Sequence, residues 1–143
     1  MTVSSGAFAE GAAIPAKFTC EGDNVSPALT WSDAPAATQS IALVVDDPDA
    51  KGFVHWVVFG LDSSARALAE GAKPAHEGTN DFGKVGYGGP CPPSGRHRYR
   101  FQVYALDVPL ADLPQPKGGD LAHAMDQHVL AAGTLTATYQ KGG

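Results

Sequence analysis

Two apolar runs, each bordered by polar residues, dominate the pattern along this chain of 143 residues. Residues 40–45 are almost wholly aliphatic and stop at Asp46 and Asp47, whereas the second run, residues 56–59, follows directly after His55. Continuous apolar runs of this length predict buried strands. Because only a short polar loop separates them, we expect the strands to pair antiparallel and to bring Asp47 and His55 to one rim.

A further strand is predicted between Arg96 and Leu106, because its side chains alternate with period two. One face carries His97, Tyr99, Phe101, Val103 and Ala105, and the other carries Arg96, Arg98, Arg100, Gln102, Tyr104 and Leu106. The apolar face should point inward, so His97 and Tyr99 are expected at the edge of the core. The loop before this strand, residues 83–95, is rich in glycine and proline and can aim backbone N–H groups at an anion.

The remaining elements are predicted from weaker patterns. They are an N-terminal strand pair within residues 6–18, a short strand at 29–32, loops with at most a short helix at 61–84, a helix at 121–130 with Asp120 as its N-cap, and a final strand at 134–139. With 17 glycines, 11 prolines and 17% charged residues, the composition fits many turns between short strands. We therefore predict one mainly β domain over residues 1–143.

Charge and hydropathy restrict the function classes. Ten basic and fifteen acidic side chains give a net charge of −5, which argues against nucleic acid or an anionic bilayer as the main partner. The first residues lack the pattern of a signal peptide, and no apolar run has the length of a membrane span. We therefore expect a cytoplasmic protein without membrane insertion. In that compartment Cys20 and Cys91 are expected as reduced thiols, with a disulfide as the alternative.

Asp47, His55 and His97 allow three interpretations from the residues alone. They can be structural residues that hydrogen-bond to loop backbone. They can be metal ligands, although no His-x-x-x-His or His-x-His pair is present. They can form an acyl-transfer site with Ser94, although no Gly-x-Ser-x-Gly turn supports it. We predict neither enzymatic activity, a metal nor a cofactor.

Four motifs occur in an order and spacing that resemble the phosphatidylethanolamine-binding protein family. They are residues 26–31, 47–50, 55–58 and 89–99, which read SPALTW, DPDA, HWVV and GPCPPSGRHRY. The similarity covers nearly the whole chain and is greatest to the prokaryotic branch called Raf kinase inhibitor-like proteins. In that branch the segment 19–22 and a C-terminal helix at residues 128–131 also have counterparts.

The resemblance implies an antiparallel β-sandwich-like fold with Greek-key connections, a few short peripheral helices and a small pocket for phosphate-like anions. Transferred to this sequence, the family's pocket comprises Asp47, His55, Gly89, Pro90, His97 and Tyr99, with Asp49 and Arg98 as supports. The resemblance also places Cys20 and Cys91 close together at the rim. Lys51 and Gly52 follow the DPDA motif where the family often has proline, so the rim loop should be more mobile.

The resulting functional expectation is a soluble, non-enzymatic binding protein with a pocket for phosphate-like or phosphorylated ligands, which can also modulate a partner enzyme. The alternative is an inhibitor that acts on a kinase or protease through its surface. The expected partners are a small anionic ligand, a kinase or protease, and a second copy of the chain. If His55 and His97 supply positive charge, anion affinity should rise as the pH falls from about 8 to about 6.

Overall fold

The computed structural model describes residues 1–142 of the chain. In chain order the regular elements are β1 (Thr2–Ser4), β2 (Leu29–Ser32), β3 (Ser40–Asp47), β4 (Phe53–Asp62), β5 (Ala67–Leu68), β6 (Arg96–Leu106), α1 (Gly118–Met125) and β7 (Val129–Gln140). Two single turns of 3-10 helix, Ala16–Phe18 and Pro48–Ala50, complete them. The mainly β class predicted from the composition is confirmed.

The strands form two antiparallel sheets. The smaller sheet has the order β1-β2-β5, and the larger has the order β4-β3-β6-β7. Strand β3 therefore lies between β4 and β6, with Val45 opposite Trp56 on one side and Phe101 on the other. The antiparallel pairing expected for the two apolar runs is confirmed. It brings Asp47 opposite Phe53, which lies two residues before His55.

Both faces of the larger sheet are covered, which explains the uninterrupted apolar runs. Trp56 and Val58 of β4 pack with the smaller sheet in the main core, whereas Val57 and Phe59 point the other way. That second face packs against α1 through Leu121. A strand that is buried on both faces needs no polar alternation.

Strand β6 has the bounds and the two faces predicted from its alternation. Tyr99, Phe101, Val103 and Ala105 are buried in the main core. On the opposite face, the Arg98 and Arg100 guanidinium groups lie 2.9 Å from Asp49 and 2.7 Å from Asp46, respectively. Arg98 and Arg100 are therefore paired to acids, whereas Arg96 takes part in no ion pair within residues 1–142.

Two predicted elements are wrong. Residues 6–18 do not form a strand pair; this segment makes a single bridge from Ala13 to Thr138 and then the 3-10 turn. The C-terminal helix ends at Met125, and the residues predicted as its last turn, including Val129 and Leu130, begin β7. Pairing of Val129 with Leu106 extends the antiparallel β6–β7 ladder, and this non-local pairing overrides the local helical pattern.

Smaller differences concern the start of α1 and the long loop. Lys117 is the N-cap, and Asp120 lies at N3, where its side chain accepts from the Lys117 backbone N–H at 3.0 Å. Residues 61–84 contain only the end of β4 and the two-residue β5, in agreement with the predicted loops. Within residues 1–142, no helix combines the length and the apolar character needed to cross a membrane.

Candidate functional site

A cavity of about 160 Å³ lies where the end of β3 and the starts of β4 and β6 meet. Its lining consists of Asp47, Ala50, Phe53, His55, Phe82, Cys91, Pro92, Pro93, His97 and Tyr99. The strands supply the polar groups, because their buried face ends here, and the loops supply most of the apolar ones. Four of the six residues predicted for the pocket, Asp47, His55, His97 and Tyr99, therefore surround one concavity.

Asp47 and His97 form a close pair in this lining. The distance between His97 Nδ1 and Asp47 Oδ2 is 2.6 Å, and the side chains are only 15% and 3% exposed. The other carboxylate oxygen of Asp47 accepts from the backbone N–H of Asp49 at 2.8 Å. Since an ionised carboxylate only accepts, Nδ1 of His97 carries a proton and donates it. The Nε2 atom of His97 has no hydrogen-bond partner within residues 1–142.

His55 is held by a different partner. Its Nδ1 lies 2.7 Å from the Gly88 carbonyl oxygen, so Nδ1 donates and the neutral ring offers Nε2 as an acceptor. Burial lowers the pKa of the His55 imidazole below its ordinary value, and the Gly88 carbonyl only partly opposes this. His55 is therefore uncharged near neutral pH. The expectation that both imidazoles supply positive charge is wrong for His55, because the ring is almost fully buried.

Aromatic side chains that the sequence analysis missed form the remaining wall. The Phe53 and Phe82 rings lie 5.0 Å and 5.4 Å from the His55 ring, and the two phenylalanine rings are 4.8 Å apart. Phe82 lies in the loop without periodicity, where no sequence signal pointed to the site. Asn80 fixes this loop, because its side chain accepts from the Phe82 N–H at 2.9 Å and donates to the Gly86 carbonyl at 2.9 Å.

Tyr99 closes the inner end of the cavity. Burial raises the pKa of its hydroxyl, and the nearby Asp47 carboxylate raises this pKa further. The hydroxyl therefore stays protonated at physiological pH. The ring also packs 5.3 Å from the His55 ring, so Tyr99 links the two imidazoles to the main core.

Gly89 and Pro90 lie outside this lining. The Gly89 N–H donates to the Asn24 side chain at 2.8 Å, and the Pro90 carbonyl accepts from the Cys20 N–H at 3.1 Å. The Gly88 N–H is also used, by the His55 carbonyl at 2.9 Å. The nest of free amides predicted for this loop is therefore wrong at residues 88 and 89. These amides attach the loop to its neighbours instead of facing a ligand.

Asp49 and Arg98 pair on the rim outside the cavity. The Asp49 carboxylate accepts from the Arg98 backbone N–H at 2.8 Å as well as from its guanidinium. These contacts hold the pKa of Asp49 well below its usual range. The pair connects the 3-10 turn after β3 to the start of β6, and so contributes to the placement of Asp47 and His97 without contacting the cavity.

Cys20 and Cys91 form a disulfide with a Cα–Cα distance of 5.5 Å. The predicted proximity is confirmed, but the expectation of reduced thiols is wrong. Tertiary packing brings together two residues that are 71 positions apart, and in the chain-entropy model a loop of this length stabilises the fold by roughly 4 kcal/mol. Disulfides are typical of oxidising compartments, so this bond weighs against the cytoplasmic expectation.

A larger, open groove of about 630 Å³ lies at the C-terminal end of β7, lined by Glu21, Arg96 and Tyr139 among others. The Tyr139 hydroxyl donates to the Glu21 carboxylate and holds the pKa of Glu21 below its ordinary value. The groove is open and its acid is paired to Tyr139, whereas the smaller cavity gathers Asp47, His55 and His97, so we assign the candidate site to the smaller cavity. No cluster of three or more potential metal ligands occurs within residues 1–142.

Comparisons with known proteins agree with this architecture. The family described as phosphatidylethanolamine-binding protein matches residues 4–140. A UPF0098 protein from Methanothermobacter thermautotrophicus is 41% identical over 99% of this chain and all of its own length. A Mycobacterium tuberculosis protein named as a candidate lipoprotein, LppC, is 44% identical over 98% of this chain and 72% of its own.

Solved structures give the same result. A phosphatidylethanolamine-binding protein homologue from Chlamydia trachomatis superposes with a TM-score of 0.93 at 40% identity, over 98% of this chain and 97% of that one. Escherichia coli YbcL, described as a member of the mammalian family, superposes with a TM-score of 0.88 at 32% identity, over 97% of both chains. The chain thus belongs to the phosphatidylethanolamine-binding protein family.

Proposed function

We propose that this protein binds a small phosphate-like anion, free or as part of a phosphorylated molecule, in the cavity between Asp47, His55 and His97. The observation that carries the proposal is the Asp47–His97 pair, which orients a mostly buried imidazole whose Nε2 is unused by the protein. Family membership supports a binding protein in general, and the cavity supports this particular ligand class.

The two imidazoles offer complementary groups to a ligand. When His97 is protonated, its Nε2–H is a charged donor to an anionic oxygen, and the contact with Asp47 fixes the orientation of the ring. Neutral His55 presents Nε2 as an acceptor, which needs a donor on the ligand. A hydrogen phosphate supplies both an anionic oxygen and an O–H group. A simple carboxylate supplies only the acceptor, so we expect it to bind more weakly.

The apolar wall favours a small ligand. A volume of about 160 Å³ is below that of pockets for drug-sized molecules, and Phe53 and Phe82 place apolar rings beside the almost fully buried His55. In a partly dehydrated site a charge-assisted hydrogen bond is stronger than in water. No lysine or arginine belongs to the described lining, so His97 is the cationic group that can face an anion.

Calorimetric titration of inorganic phosphate at pH 8, 7 and 6 tests the proposal. Affinity should rise as the pH falls, until protonation of phosphate itself opposes the trend. The variant His97→Gln should weaken binding at pH 6 by about 5- to 30-fold, which corresponds to about 1–2 kcal/mol, and should flatten the pH dependence.

His128→Gln is the matched control, because His128 also pairs with an aspartate, Asp107, at 2.9 Å, but far from the cavity lining. It should bind like the parent protein. The proposal would be contradicted if the parent protein and His97→Gln had the same phosphate affinity and the same dependence of that affinity on pH. Inhibition of a kinase or protease through the surface stays a prediction, since none of these contacts bears on it.

A further inference from the structure

Residues 91–95 form one wall of the cavity and connect Pro90 to the start of β6. Cys91, Pro92 and Pro93 all contribute to the lining. Cys91 also lines a neighbouring depression of about 240 Å³, which shares Phe82 with the first cavity. Cys91 and Phe82 therefore lie between the candidate site and a second concavity.

The loop before this wall is attached by hydrogen bonds. The Tyr87 hydroxyl donates to the Phe18 carbonyl at 2.7 Å. Next along the loop, the Gly89 N–H donates to the Asn24 side chain, and the Pro90 carbonyl accepts from the Cys20 N–H. These bonds fix residues 87–90 to the turn around residues 18–24. They would remain in place without the disulfide.

Residues 91–95 themselves lack such attachments. Within the described chain, none of their backbone or side-chain groups takes part in a hydrogen bond, and two of the five are prolines without an N–H. Two ties hold the wall between Pro90 and β6, namely the packing of buried Pro92 and the bond from Cys91 to Cys20. The disulfide is therefore the covalent anchor of the wall.

We propose that the Cys20–Cys91 disulfide is a redox latch that controls the cavity, an inference that rests on the proposed function. The oxidised form holds residues 91–95 against His97, and the reduced form releases them. Cys20 is the more exposed of the two residues, so we place the attack of a reductant on its sulfur.

The reductant that fits this chemistry is a dithiol. Its thiolate attacks the Cys20 sulfur, the S–S bond breaks, and Cys91 leaves as a thiolate that takes up a proton. The second thiol of the reductant then displaces Cys20 from the mixed disulfide. Two electrons and two protons pass to the protein, and the dithiol becomes a disulfide.

Release of the wall affects binding through conformational entropy. In the oxidised form Pro92 and Pro93 are already placed beside the imidazoles, whereas a mobile wall must be ordered again when the ligand binds. Ordering costs of this kind correspond to about a tenfold loss of affinity for a short segment. We expect the dissociation constant of phosphate to rise by about tenfold on reduction.

Backbone NMR relaxation tests the latch independently of any ligand. With dithiothreitol, the order parameters of Ser94 and Gly95 should fall from about 0.85 to below about 0.6, while those of Val44 in β3 stay unchanged. The double variant Cys20→Ser/Cys91→Ser should show the low values with and without dithiothreitol. Unchanged order parameters at residues 94 and 95 after complete reduction would overturn the latch.

Phosphate titration of the oxidised and reduced protein, and of the double variant, then tests the coupling. Tenfold weaker binding in both forms without the disulfide supports the latch, and affinities within twofold of the oxidised protein overturn it. Should the oxidised protein itself not bind phosphate, the proposed function fails, and the order parameters alone decide whether the disulfide controls the wall.

Discussion

The two ends of β6 carry the same kind of side-chain pair in opposite environments. At the start of the strand, His97 Nδ1 lies 2.6 Å from Asp47, and the side chains are 15% and 3% exposed. Just after its end, Asp107 lies 2.9 Å from His128 Nδ1, and both side chains are 43% exposed. The first pair joins β3 to β6. The second pair joins the residue that follows β6 to the residue that precedes β7.

The difference lies in what surrounds each pair. Asp47 and His97 belong to a cavity with aromatic walls. A second imidazole, His55, lines the same cavity and donates to a backbone carbonyl instead of a carboxylate. Asp107 and His128 face solvent, where water and salt weaken their attraction. An Asp–His pair therefore becomes a candidate binding site through burial and neighbouring groups, and not through its own geometry.

The largest expected effect comes from removing the acid of each pair. Asp47→Ala leaves the His97 ring and the Asp49 N–H without their acceptor in a nearly buried place. It should lower the free energy of unfolding by about 2–3 kcal/mol, as measured by urea denaturation. Asp107→Ala should cost less than about 1 kcal/mol, because water replaces the carboxylate. Equal losses in the two variants would show that burial does not distinguish the pairs.

A medium effect on the free energy of unfolding is expected when the pH changes, because burial lowers the pKa of His55 on folding. In the unfolded chain a histidine titrates near pH 6.5, whereas burial lowers the pKa of His55 in the folded protein. Between these two pKa values the unfolded chain binds more protons, so acidification favours unfolding. The free energy of unfolding should rise with pH through this window, by at most about 1.4 kcal/mol per pH unit, and this contribution should level off above about pH 6.5.

Denaturation at several pH values between about 5 and 8 measures this slope. His55→Asn keeps a donor for the Gly88 carbonyl and removes the titrating group, so its slope should be smaller by that amount. His123→Asn, on the exposed surface of α1, should keep the slope of the parent protein. Retention of the full slope in His55→Asn would assign the pH dependence to other groups.

The smallest effect is expected on the outer face of β6. Arg98 pairs with Asp49 and does not line the cavity. Because solvent screens its charge, Arg98→Ala should change the phosphate dissociation constant by less than about twofold at physiological ionic strength. Calorimetry under the conditions used for His97→Gln checks this expectation. A loss as large as that of His97→Gln would place the anion on the outer face of the strand.

The local sequence pattern was sufficient to predict those strands in which buried positions recur regularly along the strand. The alternation from Arg96 to Leu106 determined the bounds of β6, its two faces and the inward direction of His97 and Tyr99. The two apolar runs predicted the existence of β3 and β4, because a continuous apolar segment must be covered on both sides, although β4 extends beyond its run from Phe53 to Asp62. These elements also placed Asp47 at the end of β3 and His55 close to the start of β4, which is why the polar half of the cavity was predictable.

Tertiary structure alone decided the features that depend on distant partners. Val129 is in a strand because it pairs with Leu106 of β6, and Leu130 lies in the bulge between Val129 and Ala131, although their local pattern favours a helix. Phe82 lies at the cavity because the Asn80 side chain fixes its loop. The Gly88 and Gly89 N–H groups do not face the cavity, because they donate to the His55 carbonyl and the Asn24 side chain. None of these contacts carries a periodic signal, and those of Gly88 and Gly89 join residues far apart in the chain. The same physical reason explains why the Cys20–Cys91 bond, which joins residues 71 positions apart, followed from the fold and not from the sequence pattern.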